Sequence, residues 1–565
     1  MSKIRVGLLI NEFTVPFWVY KMIENINSGG YAEIVLVVKR KSAVVAEKNF
    51  FEKLDQNLKY GFFKLYSRIE KFTYKPVPDA FSEKNIEDLV KPAAFLEVDC
   101  IEKKFSDYIK DEDILKIKEY NVDVFLRLGF RILRGEILRA SALGIWSYHH
   151  GDNFAYRGGP AGFWEIFKGE KKLGSILQIL TEDLDGGEVL YRSWSSVANL
   201  HNKTLNSFYW KTSLFIPRKL KELYLSGKKA FLDKVKSENG NLYFYSDRNY
   251  TLPTNFEFLK LFLPLILRRI GHKIWKIFNF EQWILMYAFD NKDGPSTSIY
   301  RYKKIIPPRD RYWADPCVVY HDGKHYIFFE EVLYNGKTEK GRLCVIEIDR
   351  KGLRSDPVVI LEKSYHLSYP FVFKDQGQYY LIPESQANSS VQLYKAIDFP
   401  YKWEFQMNLL ENVKAMDSTI FYKNNKFWLF ANVVGIEGAL TTEELFLFSS
   451  DNLLSDKWES HLNNPIVSDV RSSRPAGRLF WNNGKLYRPS QDCSARYGYS
   501  TIINEIEVFD EKDYKEHKVT SIIPNWDNKT VATHTLSFDH GLSVIDATVK
   551  RRKRWLSPLK KTNKL

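Results

Sequence analysis

Cysteine is scarce in this chain and badly placed for cross-linking: Cys100, Cys317, Cys344 and Cys493 lie far apart, with no CxxC pair among them. That argues against a disulfide scaffold and against a cysteine-built metal site, and it fits a reducing compartment. No metal ligand set is expected. A long apolar run is also missing, so no spanning helix is expected. The first residues, MSKIRVGLLINEF, lack the charged-then-apolar layout of a signal peptide. The expectation is a cytoplasmic protein, with room for peripheral attachment at the inner face of a membrane. No nucleic-acid module accompanies the basic residues, and no nucleic-acid partner is expected.

What is abundant is positive charge and aromatic side chains. The formal net charge is +14, which suits anionic partners such as nucleotides, phosphates or a lipid surface. The charge is uneven: residues 550–565 hold eight Lys/Arg and no acid. Such a tail either meets anionic lipid or is simply solvated. Aromatics reach 15%, as β-sheet packing and carbohydrate stacking both require. At 565 residues the chain needs more than one core.

The order of patterns divides it into α/β followed by all-β. Apolar runs at 4–10, 32–38 and 122–128, the last ending at Gly129, alternate with helical stretches. They predict a mostly parallel open sheet over 1–200, with a helical, charged insertion at about 42–85. Ligands in such sheets sit at the carboxyl ends of the strands. Residues 201–281 read as a helical connector. Within it, 255–278 is apolar, basic and interrupted by Pro264; it either lies in a membrane interface or packs as an interdomain helix. From 282 to 548 a repeat recurs about every fifty residues, the size of a four-stranded propeller blade. The copies are WADPCVVYHDGKHYIFFEE, LSYPFVFKDQGQYYLIPES, AMDSTIFYKNNKFWLFAN, SRPAGRLFWNNGKLYRPSQD and a degenerate ATHTLSFDHGLSVIDA. Five copies predict a five-bladed propeller, followed by a basic tail at 549–565.

Residues 147–190 carry the densest chemistry of the first part. His149 and Asp185 are 36 positions apart, which a turn, helix and strand can fold back together as a proton shuttle. Between them lie His150, Asp152 and Arg157-Gly158. This stretch resembles the folate-dependent formyltransferases, whose pattern is Asn-x-His, an Arg-Gly loop, a helix and Leu-Asp-x-Gly. The resemblance puts His149 on the family histidine, Arg157 and Gly158 on the loop, and Leu184-Asp185-Gly186-Gly187 on the aspartate motif. It implies N10-formyltetrahydrofolate as cofactor and an amine, such as a nucleotide-linked amino sugar, as acceptor. Gly129, His150 and Asp152 would border that pocket. The family asparagine falls on Ser147, so the oxyanion must be met by Ser147 through a water or by another donor such as His150.

The propeller offers Asp315, Tyr369, Asp417, Arg474 and His534 at the blade openings, with Glu330, Glu384 and Gln491 at the ends of second strands. Acids, an arginine and aromatics around one axis suit a sugar or sugar phosphate. Aspartates there also cap turns and join blades. The layout resembles the five-bladed arabinanase and β-xylosidase class, although the glutamate expected in the fourth blade is replaced by Arg474, Gln491 and Asp492. WADP…FFEE, SYPFVF…PES and MDSTIF resemble more closely the N-terminal domain of plant glucosamine inositolphosphorylceramide transferases. The expected function is formyl transfer to an amino sugar in surface polysaccharide or glycolipid assembly, with a glycan-binding propeller. The alternatives are glycosyl transfer or hydrolysis in the propeller beside a degenerate first domain, and a non-catalytic assembly protein.

Overall fold

The computed structural model describes residues 2–41, 50–103, 105–183, 186–198, 200–241, 249–291, 294–334 and 340–553, with 50–54 described by backbone alone. They form two compact units, Met1–Leu263 with Gly435–Leu440, and Pro264–Val434 with Thr441–Leu565.

The first unit is built on a seven-stranded sheet. Its order is Glu188–Ser196, Lys172–Ile179, Ile145–His149, Val124–Arg127, Ile4–Ile10, Ala32–Arg40 and Ala94–Val98. The last five run parallel and the first two are antiparallel additions. Val6, Leu8 and Leu9 are fully buried, as a strand covered on both faces requires. Gly7 is obligatory here, because a Cβ would run into the Phe125 ring of the neighbouring strand. The helix Phe17–Ser28 buries Trp18, Val19, Met22, Ile23 and Ile26 on one face of that sheet.

Two expected boundaries move. The helices His201–Thr212, Phe215–Ser226 and Lys228–Glu238 are not a connector: Trp210, Phe215, Leu220, Phe231 and Val235 join the core of the first unit. The first domain therefore does not stop at 200. The helix Phe50–Thr73 lies in the expected insertion and is tied to this layer, since Glu70 accepts the backbone N–H groups of His201 and Asn202 at 2.9 and 2.8 Å. Glu70 so caps the amino end of the second helix.

The second unit contains five sheets of four or five strands. Blade one opens with Arg311–His321, blade two with Ser368–Asp375, blade three with Ala415–Lys423 and blade four with Arg474–Pro475. Blade five is composite. Leu536–Asp539 and Leu542–Arg552 come from the C-terminal copy, while Asn279–Phe289 and Lys303–Ile305 come from the start of the unit. Asn279–Phe289 and Leu542–Arg552 pair antiparallel over eleven unbroken positions. Hydrogen bonds between neighbouring blades close the ring: Tyr369 N to Asp315 at 3.3 Å, Asp417 N to Glu384 at 3.2 Å, Arg474 to Asp417 at 2.5 Å, Leu536 N to Ala476 O at 2.8 Å and Val318 N to Ser537 at 2.8 Å. The result is the expected five-bladed propeller. Its first strand begins at Asn279 rather than 282, and residues assigned to the basic tail continue as strand to Arg552.

Leu285 sits fully buried on the closing strand, in a core shared with Trp313, Ile327 and Phe329 of blade one. Leu285→Ala is expected to lower the unfolding free energy by about 2–5 kcal/mol in urea titrations; a loss below about 1 kcal/mol would show that closure does not limit stability.

Candidate functional site

The residues of the 147–190 stretch are not gathered into one pocket. Ser147 is buried within Ile145–His149, paired with Arg127 of the adjacent strand, and Arg127 Nη1 donates to its Oγ at 2.9 Å. Its hydroxyl is thus a partner in the sheet, which corrects the expected role in binding an oxyanion. His150 lies stacked on Tyr209 with 4.0 Å between ring centroids, edge-on to Trp18, with Nε2 at 3.3 Å from Thr212 Oγ1. Burial, with a smaller contribution from His149, takes its pKa down to about 3, so it remains neutral packing. It cannot substitute as a charged donor. Asp152 caps the Phe154 N–H at 3.1 Å and meets Arg192 at 3.4 Å, as a turn residue does.

His149 is half-buried at the carboxyl end of its strand, where a sheet of this kind presents ligands. Arg157 and Gly158 form a short strand beside Asn249–Tyr250; Gly158 has φ +93° and its position leaves no space for a Cβ next to Tyr250. Gly129 donates its N–H to Leu9 O at 2.8 Å and lies against Asn11. Leu184 and Asp185 lie outside the described residues. The following Gly186 and Gly187 line an open cleft of about 510 Å³ with Phe154, Arg192 and Lys236, and neither Ser147, His149 nor Arg157 borders it. Ser147 Oγ is engaged by Arg127 and His150 packs on Tyr209, so neither stands ready as the donor that would replace the family asparagine toward a formyl-bearing folate.

The propeller axis is different. Asp315, Glu384, Asp417, Arg474 and His534 are all buried and fall into two linked groups. Arg474 reaches Asp417 at 2.5 and 3.2 Å and Glu384 at 3.1 Å, and Gln491 Nε2 donates to Asp417 at 2.7 Å. His534 Nδ1 lies 2.5 Å from Asp546, and its Nε2 is 3.5 Å from Asp315. The strand geometry explains the convergence. Glu330 and Glu384 lie opposite Ala314 and Ser368, and the next residue in each first strand, Asp315 or Tyr369, bulges into left-handed backbone at φ 52° and 43°. Asp417 does the same at φ 50° in blade three. Arg474 departs from this pattern: it occupies the paired position itself, opposite Gln491. Left-handed backbone costs a non-glycine residue about 1–2 kcal/mol, and here interblade hydrogen bonds hold it.

Three participants were not singled out from sequence. Asp546 accepts the N–H groups of Asp315, His534 and Thr535 at 3.0, 2.9 and 3.0 Å. Trp283 stacks on His534 at 4.2 Å, and Tyr497, 46% exposed, lies edge-on to His534 with the Arg474 guanidinium 5.0 Å from its ring centroid. The repeat did not mark Asp546, which follows its turn glycine, Gly541, by five residues where Glu330 and Glu384 follow theirs by seven. Nor did it mark Trp283, because that strand is supplied from outside the repeat.

Four carboxyl groups face two cations. Burial, reinforced by Glu330, Asp417 and Asp546 and opposed by His534, pushes Asp315 up to about 7; burial also holds Glu384 well above the usual carboxylate range. Raising those two carboxyl groups lessens the negative charge set against Arg474 and His534. Burial lowers the His534 pKa, but Asp546 and Asp315 outweigh it and bring it to about 9. Asp315, His534 and Asp546 also present ligand atoms within 4.8 Å of one another, close enough to hold a cation. Any ion would have to displace the His534–Asp546 hydrogen bond. Beside Asp315, a cavity of about 10 Å³ lined by Cys317, Tyr369 and Arg478 has room for no more than a water.

The propeller is also where the similarity to other proteins lies. Residues 306–551 match the family model of the N-terminal region of glucosamine inositolphosphorylceramide transferase 1. The transferases of that name from Arabidopsis thaliana and Oryza sativa subsp. japonica are each 33% identical, over 209 and 206 residues, or 36% of this chain. The chain spans about a quarter, 27%, of the length of these curated relatives. Among solved structures, a GH43 β-xylosidase/α-arabinofuranosidase from a compost metagenome is similar over 48% of this chain and 96% of its own, at 15% identity and a TM-score of 0.32. Apart from Gly435–Leu440 the α/β unit lies outside the family match, so the formyltransferase resemblance gains nothing from it.

The axial cluster carries a pH dependence. His534 holds its proton to about pH 9 in the fold and only to about 6.5 when unfolded. Its contribution is complete below pH 6.5 and is lost as pH rises through 9. The raised Asp315 acts in the same direction between about pH 4 and 7. Calorimetry of the whole chain is expected to show the propeller transition falling steadily from pH 6.5 to 9, with a flatter profile in His534→Gln.

Proposed function

We propose that this chain is a transferase of glycan or glycolipid assembly and that the propeller holds the sugar at its axial cluster. The observation that carries this reading is the pair of rings at Trp283 and Tyr497, set against the hydrogen-bonding groups of His534 and Arg474. A pyranose has an apolar face and polar edges, and an aromatic face beside charged donors matches both. The similarity of 306–551 to a glucosamine inositolphosphorylceramide transferase supports the same substrate class. Hydrolysis of the kind expected from paired, separately solvated carboxylates finds less support, since Asp417 and Glu384 are both tied to Arg474.

The test uses the whole chain. Calorimetric titration with uridine-diphosphate-linked glucosamine and N-acetylglucosamine is expected to show binding, which Trp283→Ala and Tyr497→Ala each weaken about tenfold while Tyr497→Phe does not. Mass spectrometry of a reaction with inositol phosphorylceramide would then show a hexosamine-sized gain. Absence of sugar binding, or binding indifferent to both aromatic substitutions, defeats the proposal. A formylated amino sugar formed from N10-formyltetrahydrofolate would instead move the chemistry to His149 and the α/β unit.

A further inference from the structure

The helix Asn255–Phe278 was expected either to pack between domains or to meet a membrane, and its apolar face is left uncovered. Phe258 is its one buried residue. Leu267, Ile270, Ile274 and Ile277 are 67%, 49%, 51% and 52% exposed and, at spacings of three and four, form a single stripe. Arg268, Arg269, Lys273 and Lys276 occupy the rest of the circumference, and no acid occurs from 258 to 280. The nearest acid, Glu281, is paired with Arg496 at 2.5 Å. The end of the closing strand adds to the same charge: Lys553 N donates to Phe278 O and its Nζ to Lys276 O, both at 2.8 Å, and Lys550 lies 5.9 Å from the Trp275 ring centroid.

We infer that the Pro264-to-Phe278 portion of this helix seats in the headgroup region of an anionic membrane, apolar stripe inward and cations toward the lipid phosphates. Among the described residues no helix is long and apolar enough to cross a membrane, so the contact is interfacial. The charge selects this occupant over a second copy of the chain. Pairing two such stripes would bring cations against cations, with no acid on the Pro264-to-Phe278 portion to offset them. Anionic lipid answers both the exposed stripe and the surrounding charge. The inference goes beyond the sugar-binding proposal and does not rest on it.

Flotation of the full chain with vesicles of phosphatidylcholine alone, and with roughly 30% phosphatidylserine added, tests it. Binding is expected to the anionic vesicles and to weaken with salt. Arg268→Gln/Arg269→Gln/Lys273→Gln is expected to weaken it by about 100-fold, at about fivefold per cation. Leu267→Ser/Ile274→Ser is expected to weaken it at least about tenfold. Both variants alter exposed positions apart from the half-buried Arg269, and an unchanged circular dichroism melt would confirm that folding is intact. The inference is overturned if wild type ignores anionic vesicles, or binds neutral ones equally. It is also overturned if the serine variant binds fully, or if that variant merely converts a dimer to monomer with no vesicle binding in either form.

Discussion

The eleven-position pairing of Asn279–Phe289 with Leu542–Arg552 is the constraint on which the propeller depends. A ring of blades has no free edges only when its first and last pieces share a sheet. Bringing together strands more than 250 positions apart costs loop-closure entropy, though that cost rises only logarithmically with length. The ladder and the buried row Ile284, Leu285, Val544 and Ile545 offset it. Asp546 lies in the middle of this ladder, opposite Leu285, and from there accepts three backbone N–H groups at the axis. Closure and the axial cluster are therefore one construction.

That construction explains why carboxylates at an axis are poor evidence of hydrolysis by themselves. Asp315 satisfies Tyr369 N of the next blade, and Glu384 satisfies Asp417 N of the one after it. Removing such an acceptor would strand a buried N–H at a cost of about 1–3 kcal/mol. The cations Arg474 and His534 lie among these carboxyl groups, and pairing of this kind is how a buried polar ring avoids the penalty of unpaired charge. Any sugar chemistry must use what this network leaves accessible, and the half-buried Trp283 and exposed Tyr497 are its outward parts.

The sequence made the propeller legible because its signal is repeated. Each copy carries a β-branched and aromatic strand, a tight turn and a second strand, so an error in one is checked by the others. The copies beginning at 313, 367, 415 and 473 start within two residues of the observed strands, which begin at 311, 368, 415 and 474. What stayed hidden was non-local: the third and fourth strands of blade five precede the repeat, and so does Trp283. The α/β sheet was legible from its apolar runs, but the helices of 201–238 looked like a connector because their buried residues are interleaved with lysines. The 147–190 motif shows the opposite limit. Its wording names residue types, whereas Arg127 and Tyr209, which decide what Ser147 and His150 do, lie outside it.

The closing strand also ties the two proposed surfaces together. Along Leu542–Arg552, Asp546 belongs to the axis, and Lys550, four residues later, lies against Trp275 of the exposed helix. Four residues of extended chain span about 13 Å. A lipid whose headgroup carries a sugar and whose acyl chains remain in the membrane needs its two recognition surfaces separated by about a headgroup's length, and held there rigidly. A strand locked into an eleven-pair ladder supplies such a fixed spacing, where a flexible linker would spread it over many distances.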